Sequence, residues 1–142
     1  MAITRSVEIE APPSRVWDVL LEVERWPDWT ASLTQIDLLD RPELTIGARA
    51  RIRQPRLPAA VWTVTEFAAN QRFTWEAASF GGTMIASHAL EPQPDGRTRV
   101  VLTAHSRGLH LRLLSFPFAR ITRRYVEMEA QGLKRQCEML DD

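Results

Sequence analysis

With one cysteine, Cys137, the sequence has no means of forming an internal disulfide or a cysteine-based zinc site. Histidine is almost as scarce, and His88, His105 and His110 do not fall at the i,i+4 spacing of a helical metal site, so no metal is expected. No cofactor is expected either. No apolar run approaches the roughly 20 residues that span a bilayer. Met1 to Glu8 hold no apolar stretch of signal-peptide length, and the protein is read as cytoplasmic. Neither sign of charge is in excess, with 18 Lys plus Arg against 18 Asp plus Glu. A general nucleic-acid binder would be strongly basic, so no nucleic-acid partner is expected.

What is present is an ordinary globular composition, 44% hydrophobic and 25% charged, over 142 residues. That length suits one domain, 1–142, with a real core. The unusual entry is aromatic, five Trp against one Tyr. So many large rings in so short a chain either fill a bulky core or line a cavity.

Alternation predicts a first strand over Ile3 to Glu10, with Ile3, Val7 and Ile9 on one face. Ala11-Pro12-Pro13 ends it, and proline suits the first turn of a helix from Ser14 to about Val23. Glu24 to Trp29, interrupted by Pro27, reads as a second, very short helix. Six further strands follow between Leu33 and Ser106, joined by turns short enough to make them antiparallel. The last third is a long amphipathic helix. Leu114, Phe118, Ile121, Tyr125 and Met128 recur at spacings of four, three, four and three. Leu133, Cys137 and Leu140 continue on a neighbouring stripe. Arg120, Arg123, Arg124, Glu127 and Glu129 are assigned to the other, polar face, with Arg123 and Glu127 spaced for an ion pair. Pro117 marks where the long part of the helix begins, after a leading turn over Leu109 to Phe116.

The expected fold class is therefore α+β. A seven-stranded antiparallel sheet twists and curves around the C-terminal helix, with two short helices after the first strand. A curved sheet and one helix do not close tightly at both ends, and the gap is a natural pocket with the short helices at its mouth.

Several segments carry a family resemblance. They are Val7-Glu8-Ile9-Glu10-Ala11-Pro12-Pro13-Ser14-Arg15-Val16-Trp17, Trp26-Pro27-Asp28-Trp29, Ile46-Gly47, Trp62 to Phe67, Phe73-Thr74-Trp75-Glu76 and Asp95 to Val100. In this order and spacing the whole chain resembles the START-like (SRPBCC) superfamily with its helix-grip fold. It is most similar to the small bacterial polyketide cyclase/dehydrase-like branch. The resemblance implies a cavity for a hydrophobic molecule such as a lipid, quinone or polyketide. Members include cyclases and dehydratases as well as non-catalytic carriers, and fold does not choose among them. The glycine-rich phosphate loop of the allergen branch is missing, since Gly81-Gly82 stands alone.

Candidate site residues follow. His88 shares strand parity with Met84, Ala86 and Leu90, which directs it inward. It is either an acid/base or hydrogen-bonding group in the cavity or a structural histidine bonded to nearby backbone. Tyr125, mid-stripe on the helix, either orients a ligand carbonyl or packs as a core aromatic. Together they are the candidate catalytic pair. The candidate ligand wall comprises Trp26 and Trp29 at the mouth, Ala50, Trp62, Phe73, Trp75, Met84 and Leu102 on strands, and Phe118, Ile121 and Met128 on the helix. Trp17 is the tryptophan assigned to structure, and Cys137 reads as a small buried hydrophobe.

Charge is balanced globally but not locally, since Gly96 to Tyr125 contains no acid. Either folding brings acids to these arginines, or Arg107, Arg112 and Arg120 form a basic patch for a membrane surface or an acidic carrier protein. The apolar turn before Pro117 suits a lid or a homodimer contact equally. Three functions stay open: binding of a hydrophobic molecule, a cyclase or dehydratase, and an interaction protein whose pocket is collapsed.

Overall fold

A computed structural model describes residues 2–79, 81–108 and 118–139. The leading turn over 109–116, with His110, Arg112 and Leu114, lies outside these residues, as do Leu140 and the side chain of Phe118. Among the described residues no helix is long and apolar enough to cross a membrane.

Strand β1, Ala2–Ile9, turns Ile3 and Ile9 into the core while Thr4, Ser6 and Glu8 face out. Helix α1, Pro13–Leu21, starts on a proline whose missing N–H has no helical partner to lose. It buries Val16, Trp17, Val19 and Leu20. A short 3-10 helix over Val23–Asp28 follows, the expected second helix. Pro27 lies inside it, a position that an α-helical turn would resist.

The remaining strands are β2 Gln35–Leu38, β3 Arg49–Arg53, β4 Ala60–Ala68, β5 Arg72–Ser79, β6 Gly82–Pro92 and β7 Thr98–Arg107. They form one seven-stranded antiparallel sheet in the order β1-β7-β6-β5-β4-β3-β2. This is the expected helix-grip architecture, with the first strand laid beside the last. β2 begins later than the apolar pattern at Leu33, because Leu33 turns into the core instead of joining the ladder. A bulge between Val64 and Glu66 bends β4, which increases the local twist and helps the sheet to curl.

Helix α2 spans Phe118–Met139 of the described residues, and Pro117, where the long part of the helix is expected to begin, lies outside them. The helix packs along β1 and β7 and touches α1, leaving the strands from β3 to β6 to curve away from it. Among the described residues its buried apolar side chains are Ala119, Tyr125, Val126, Ala130, Leu133 and Cys137, with Gly132 buried between them. The inward face is thus rotated from the stripe that the spacing predicted, and Ile121 and Met128 lie half-buried on its flank. Gly132 explains the phase. A Cβ there would sit 2.0 Å from the Trp29 carbonyl oxygen, so only glycine allows the close approach. With Gly132 held against Trp29, Val126 and Leu133 turn inward. Two contacts with β1 fix the same phase: Arg5 Nε lies 3.0 Å from Glu127 Oε1, and Lys134 Nζ donates to the Glu8 carbonyl at 2.7 Å. Glu127 therefore pairs with Arg5 rather than with the expected Arg123.

Most outward strand arginines meet acids. Arg49 makes a two-point contact with Asp40, and Arg72, Arg97, Arg99 and Arg107 pair with Glu66, Asp95, Glu91 and Glu76. Arg107 is thus engaged by Glu76, and Arg112, the middle member of the expected basic patch, lies outside the described residues.

Candidate ligand-binding site

The concave face of the sheet is uneven in a way that register makes plain. Trp75, Ala86 and Ala104 lie opposite one another across β5, β6 and β7, and Ala77 stands opposite Met84 one row along. Alanines at these central positions leave room that larger residues would fill. Phe73, His88 and Leu102 occupy the neighbouring row and close it at that end.

The result is a cavity of about 490 Å³ between sheet and helix. That lies within the roughly 300–1,000 Å³ typical of small-molecule sites, so the pocket is not collapsed. Its walls are Ile52 of β3, Trp62 of β4, Trp75 and Ala77 of β5, Met84, Ala86 and His88 of β6, and Leu102 and Ala104 of β7. Trp26 and Leu33 close one side, and Gln54, Leu57 and Pro58 of the β3–β4 turn close another. From α2 come Thr122, Tyr125, Val126 and Glu129.

His88 sits in an aromatic box. Its ring stacks on Phe73 at 4.2 Å between centroids and meets Trp26 and Trp75 edge-on at 5.5 and 5.8 Å. Nδ1 lies 3.3 Å from the Phe73 carbonyl oxygen. A carbonyl can only accept, so Nδ1 carries the proton and Nε2 presents a lone pair. Burial pushes the histidine pKa down to about 4, against a smaller opposing effect of the Phe73 bond, and the ring is neutral near pH 7.

Glu129 is the residue that sequence reasoning missed. It was assigned to the polar face, yet it lines the cavity. Burial lifts its carboxyl to about 7, only partly opposed by the Ser32 hydroxyl 3.4 Å from Oε2. Ser32 is itself fully buried and shares a 2.8 Å hydrogen bond with Thr30. Gln54 Nε2 donates to the Ser32 carbonyl at 3.3 Å, which fixes that backbone. No arginine, lysine or aspartate lines the cavity among the described residues. A signal for Glu129 was present: Ala119, Val126 and Leu133 recur every seven residues, and Glu129 falls between the last two on the same side.

Tyr125 also lines the cavity, but its hydroxyl donates to the Pro55 carbonyl in the β3–β4 turn. Its proton is committed to tying that turn to α2. Of the other candidates, Trp26, Trp62, Trp75, Met84 and Leu102 line the cavity. Phe73 is fully buried beneath His88, and Ala50 is buried opposite Trp62 away from the cavity wall. Trp29 packs behind Trp26, with ring centroids 5.5 Å apart. Ile121 and Met128 line a separate outer groove with Tyr125. The Trp26 indole donates to the Leu20 carbonyl at 3.1 Å, so this ring is both wall and core. Trp17 packs on Phe67 and Phe73, away from the cavity. Among the described residues no three His, Cys, Asp or Glu side chains gather as a metal site.

Residues 1–138 match the model of the polyketide cyclase/dehydrase and lipid transport family. The chain belongs to that family. No curated protein matches its sequence. Solved structures share its fold at low identity. A hypothetical protein from Helicobacter pylori superposes with a TM-score of 0.84 at 14% identity, over 96% of this chain and 88% of that one. A START superfamily protein from Mycobacterium smegmatis gives 0.79 at 14%, over 99% of each. A protein from Thermus thermophilus gives 0.78 at 17%, over the whole of both chains. This family member thus has the fold of a hydrophobic ligand-binding domain.

Proposed function

We propose that the protein binds a small hydrophobic molecule carrying one or two polar groups, a lipid, quinone or polyketide-like compound, in the cavity between sheet and α2. The observation that carries this reading is a mainly apolar cavity of about 490 Å³ with the titratable side chains of His88 and Glu129 among the few polar groups on its wall. Apolar contact supplies affinity at roughly 25 cal/mol per Å² buried. The polar groups supply orientation. Nε2 of His88 accepts a hydrogen bond from a ligand hydroxyl. Protonated Glu129 donates to a carbonyl.

The test uses the alanines that make the room. Ala86→Leu places a larger apolar side chain in the cavity. Native mass spectrometry of the purified wild-type protein is expected to show a co-purifying hydrophobic molecule, and the Ala86→Leu protein to lack it. A panel of lipids, quinones and polyketides that leaves the wild-type melting temperature unmoved would remove the support for binding.

A second reading, a cyclase or dehydratase, is favoured by Glu129 alone. A carboxyl with a pKa of about 7 exchanges a proton readily near neutral pH, as an acid/base catalyst must. Here ionised Glu129 takes the proton from a carbon next to a ligand ketone, leaving the electron pair on the enolate oxygen, and His88 positions the substrate. Glu129→Gln that retains full turnover on an identified substrate excludes this role.

A further inference from the structure

Strand β7 turns Thr98, Val100, Leu102, Ala104 and Ser106 inward, and all five are buried. Two of them carry a hydroxyl. Thr98 Oγ1 donates to the Ala11 carbonyl at 2.8 Å. Ser106 is only 8% exposed, and among the described residues its Oγ is the buried side-chain polar atom that no protein atom hydrogen-bonds. Folded proteins leave few buried polar groups in that state, because such a group has given up water and gained nothing in exchange.

The place of Ser106 says what that hydroxyl could meet. It stands opposite Met84 and one inward position past Ala104, and both of these line the cavity. Ser106 is therefore one row beyond the wall, beside an unbranched side chain that changes rotamer easily. The cavity's titratable groups stand at the opposite end. His88 is opposite Leu102, four residues from Ser106 along β7. Glu129 belongs to that end as well, because Glu127 pairs with Arg5, and Arg5 is opposite Leu102 on β1. At ~3.3 Å per residue the two ends are about 13 Å apart. Between them the sheet offers Trp75, Ala86 and Ala104, an apolar floor.

We infer that the ligand is polar at both ends, one end held by His88 and Glu129 and the other by the Ser106 hydroxyl, with its apolar middle on Trp75, Ala86 and Ala104; the assignment rests on the ligand-binding reading above. A serine hydroxyl both donates and accepts, so Ser106 suits an alcohol, a phenol or a carbonyl. The ligand class is therefore an elongated molecule with a hydrogen-bonding group at each end. An amphiphile with a single head would leave either Ser106 or the His88 end unpaired.

The experiment compares 1,10-decanediol with 1-decanol, which differ by one terminal hydroxyl, on the full chain. Binding is followed by the fluorescence of Trp26, Trp62 and Trp75, which line the cavity, and by calorimetry. A second hydroxyl that found no partner in the site would weaken the diol by about tenfold or more. The wild type is expected to bind the diol at least as tightly as decanol. Ser106→Ala should lower the ratio of diol to decanol affinity by about tenfold, the size of one buried hydrogen bond. Ser6→Ala, which removes an exposed hydroxyl from the outer face of β1, should leave that ratio unchanged. Without a probe, Ser106→Ala should unfold at the same urea concentration as the wild type or a higher one, since it removes an unpaired polar group. Unfolding at a clearly lower concentration would show that the hydroxyl already has a partner in the fold, and overturns the inference. So does a wild type that binds the diol tenfold more weakly than decanol, or a ratio that Ser106→Ala does not move. Each of these leaves the cavity reading intact. If neither probe binds, the cavity reading fails and takes the inference with it.

Discussion

His88 and Glu129 give the folded protein two pH dependences of opposite sign over nearly the same interval. Glu129 rises from an ordinary 4.5 to about 7 on folding. Below pH 4.5 it is protonated in both states and contributes nothing to pH dependence. Between 4.5 and 7 the unfolded chain releases the proton while the folded chain keeps it, so stability falls as pH rises. At ~1.4 kcal/mol per pH unit the loss reaches ~3 kcal/mol above pH 7, a ceiling because Glu129 is only partly buried and solvent screens its carboxylate. His88 falls from 6.5 to about 4. Between 4 and 6.5 the unfolded chain binds a proton that the buried ring does not, so stability rises with pH, again by ~3 kcal/mol in all.

In the wild type these two slopes oppose each other, and their joint contribution is nearly flat from about pH 4.5 to 6.5. Replacing either residue uncovers the other. Glu129→Gln keeps the shape and the Ser32 contact but cannot ionise. Its stability relative to wild type should be small near pH 4.5 and grow by ~2–3 kcal/mol by pH 8. His88→Gln should show the reverse trend against wild type, with stability now falling as pH rises through Glu129's range. Urea unfolding followed by tryptophan fluorescence, at half-unit steps from pH 4 to 8.5, reads both curves. A Glu129→Gln difference that stays constant across that range would refute the placement of this carboxyl in an apolar cavity.

Three further outcomes test the packing. Gly132→Ala should destabilise the fold by ~1–3 kcal/mol in urea unfolding, although alanine favours a helix by ~1 kcal/mol, because its Cβ would overlap the Trp29 carbonyl. Tyr125→Phe should cost ~1 kcal/mol and speed amide exchange in the β3–β4 turn, whose Pro55 carbonyl loses its donor. Cys137, fully buried and with its thiol pushed up to about 12 chiefly by burial, should resist alkylation at pH 8 and react at a rate set by opening of the protein, as followed by mass spectrometry.

The fold was legible because its signals are local. Alternation through Phe73 and Trp75, the proline stop at Pro12-Pro13 and the Gly81-Gly82 bend each specify one element. A sheet with one long amphipathic helix has few ways to pack. The inward direction of His88 was legible for the same reason, since strand parity is a period of two and tolerates little error. The helix was harder. Two apolar stripes compete on α2, and choosing between them rotates every side chain. What decides is Gly132 meeting the Trp29 backbone, a contact between residues 103 positions apart that no periodicity reports. From the wrong phase, Glu129 fell among the solvent charges and Ile121 and Met128 fell on the cavity wall.

Two features of the cavity run against stability, and in the same place. Ala77, Ala86 and Ala104 leave unfilled space where larger apolar side chains would add buried area. Glu129 adds an ionisable group that leucine would replace at a gain, and Ser32 with Thr30 supports the carboxyl instead of neutralising it. Neither feature is required by the helix-grip architecture: Val126 and Leu133 already anchor α2, and Phe73 and Leu90 already fill the sheet face. Space and a proton-carrying group placed together, each at a cost to folding, are what a site for a partly polar guest demands. A packing accident would produce one of them without the other.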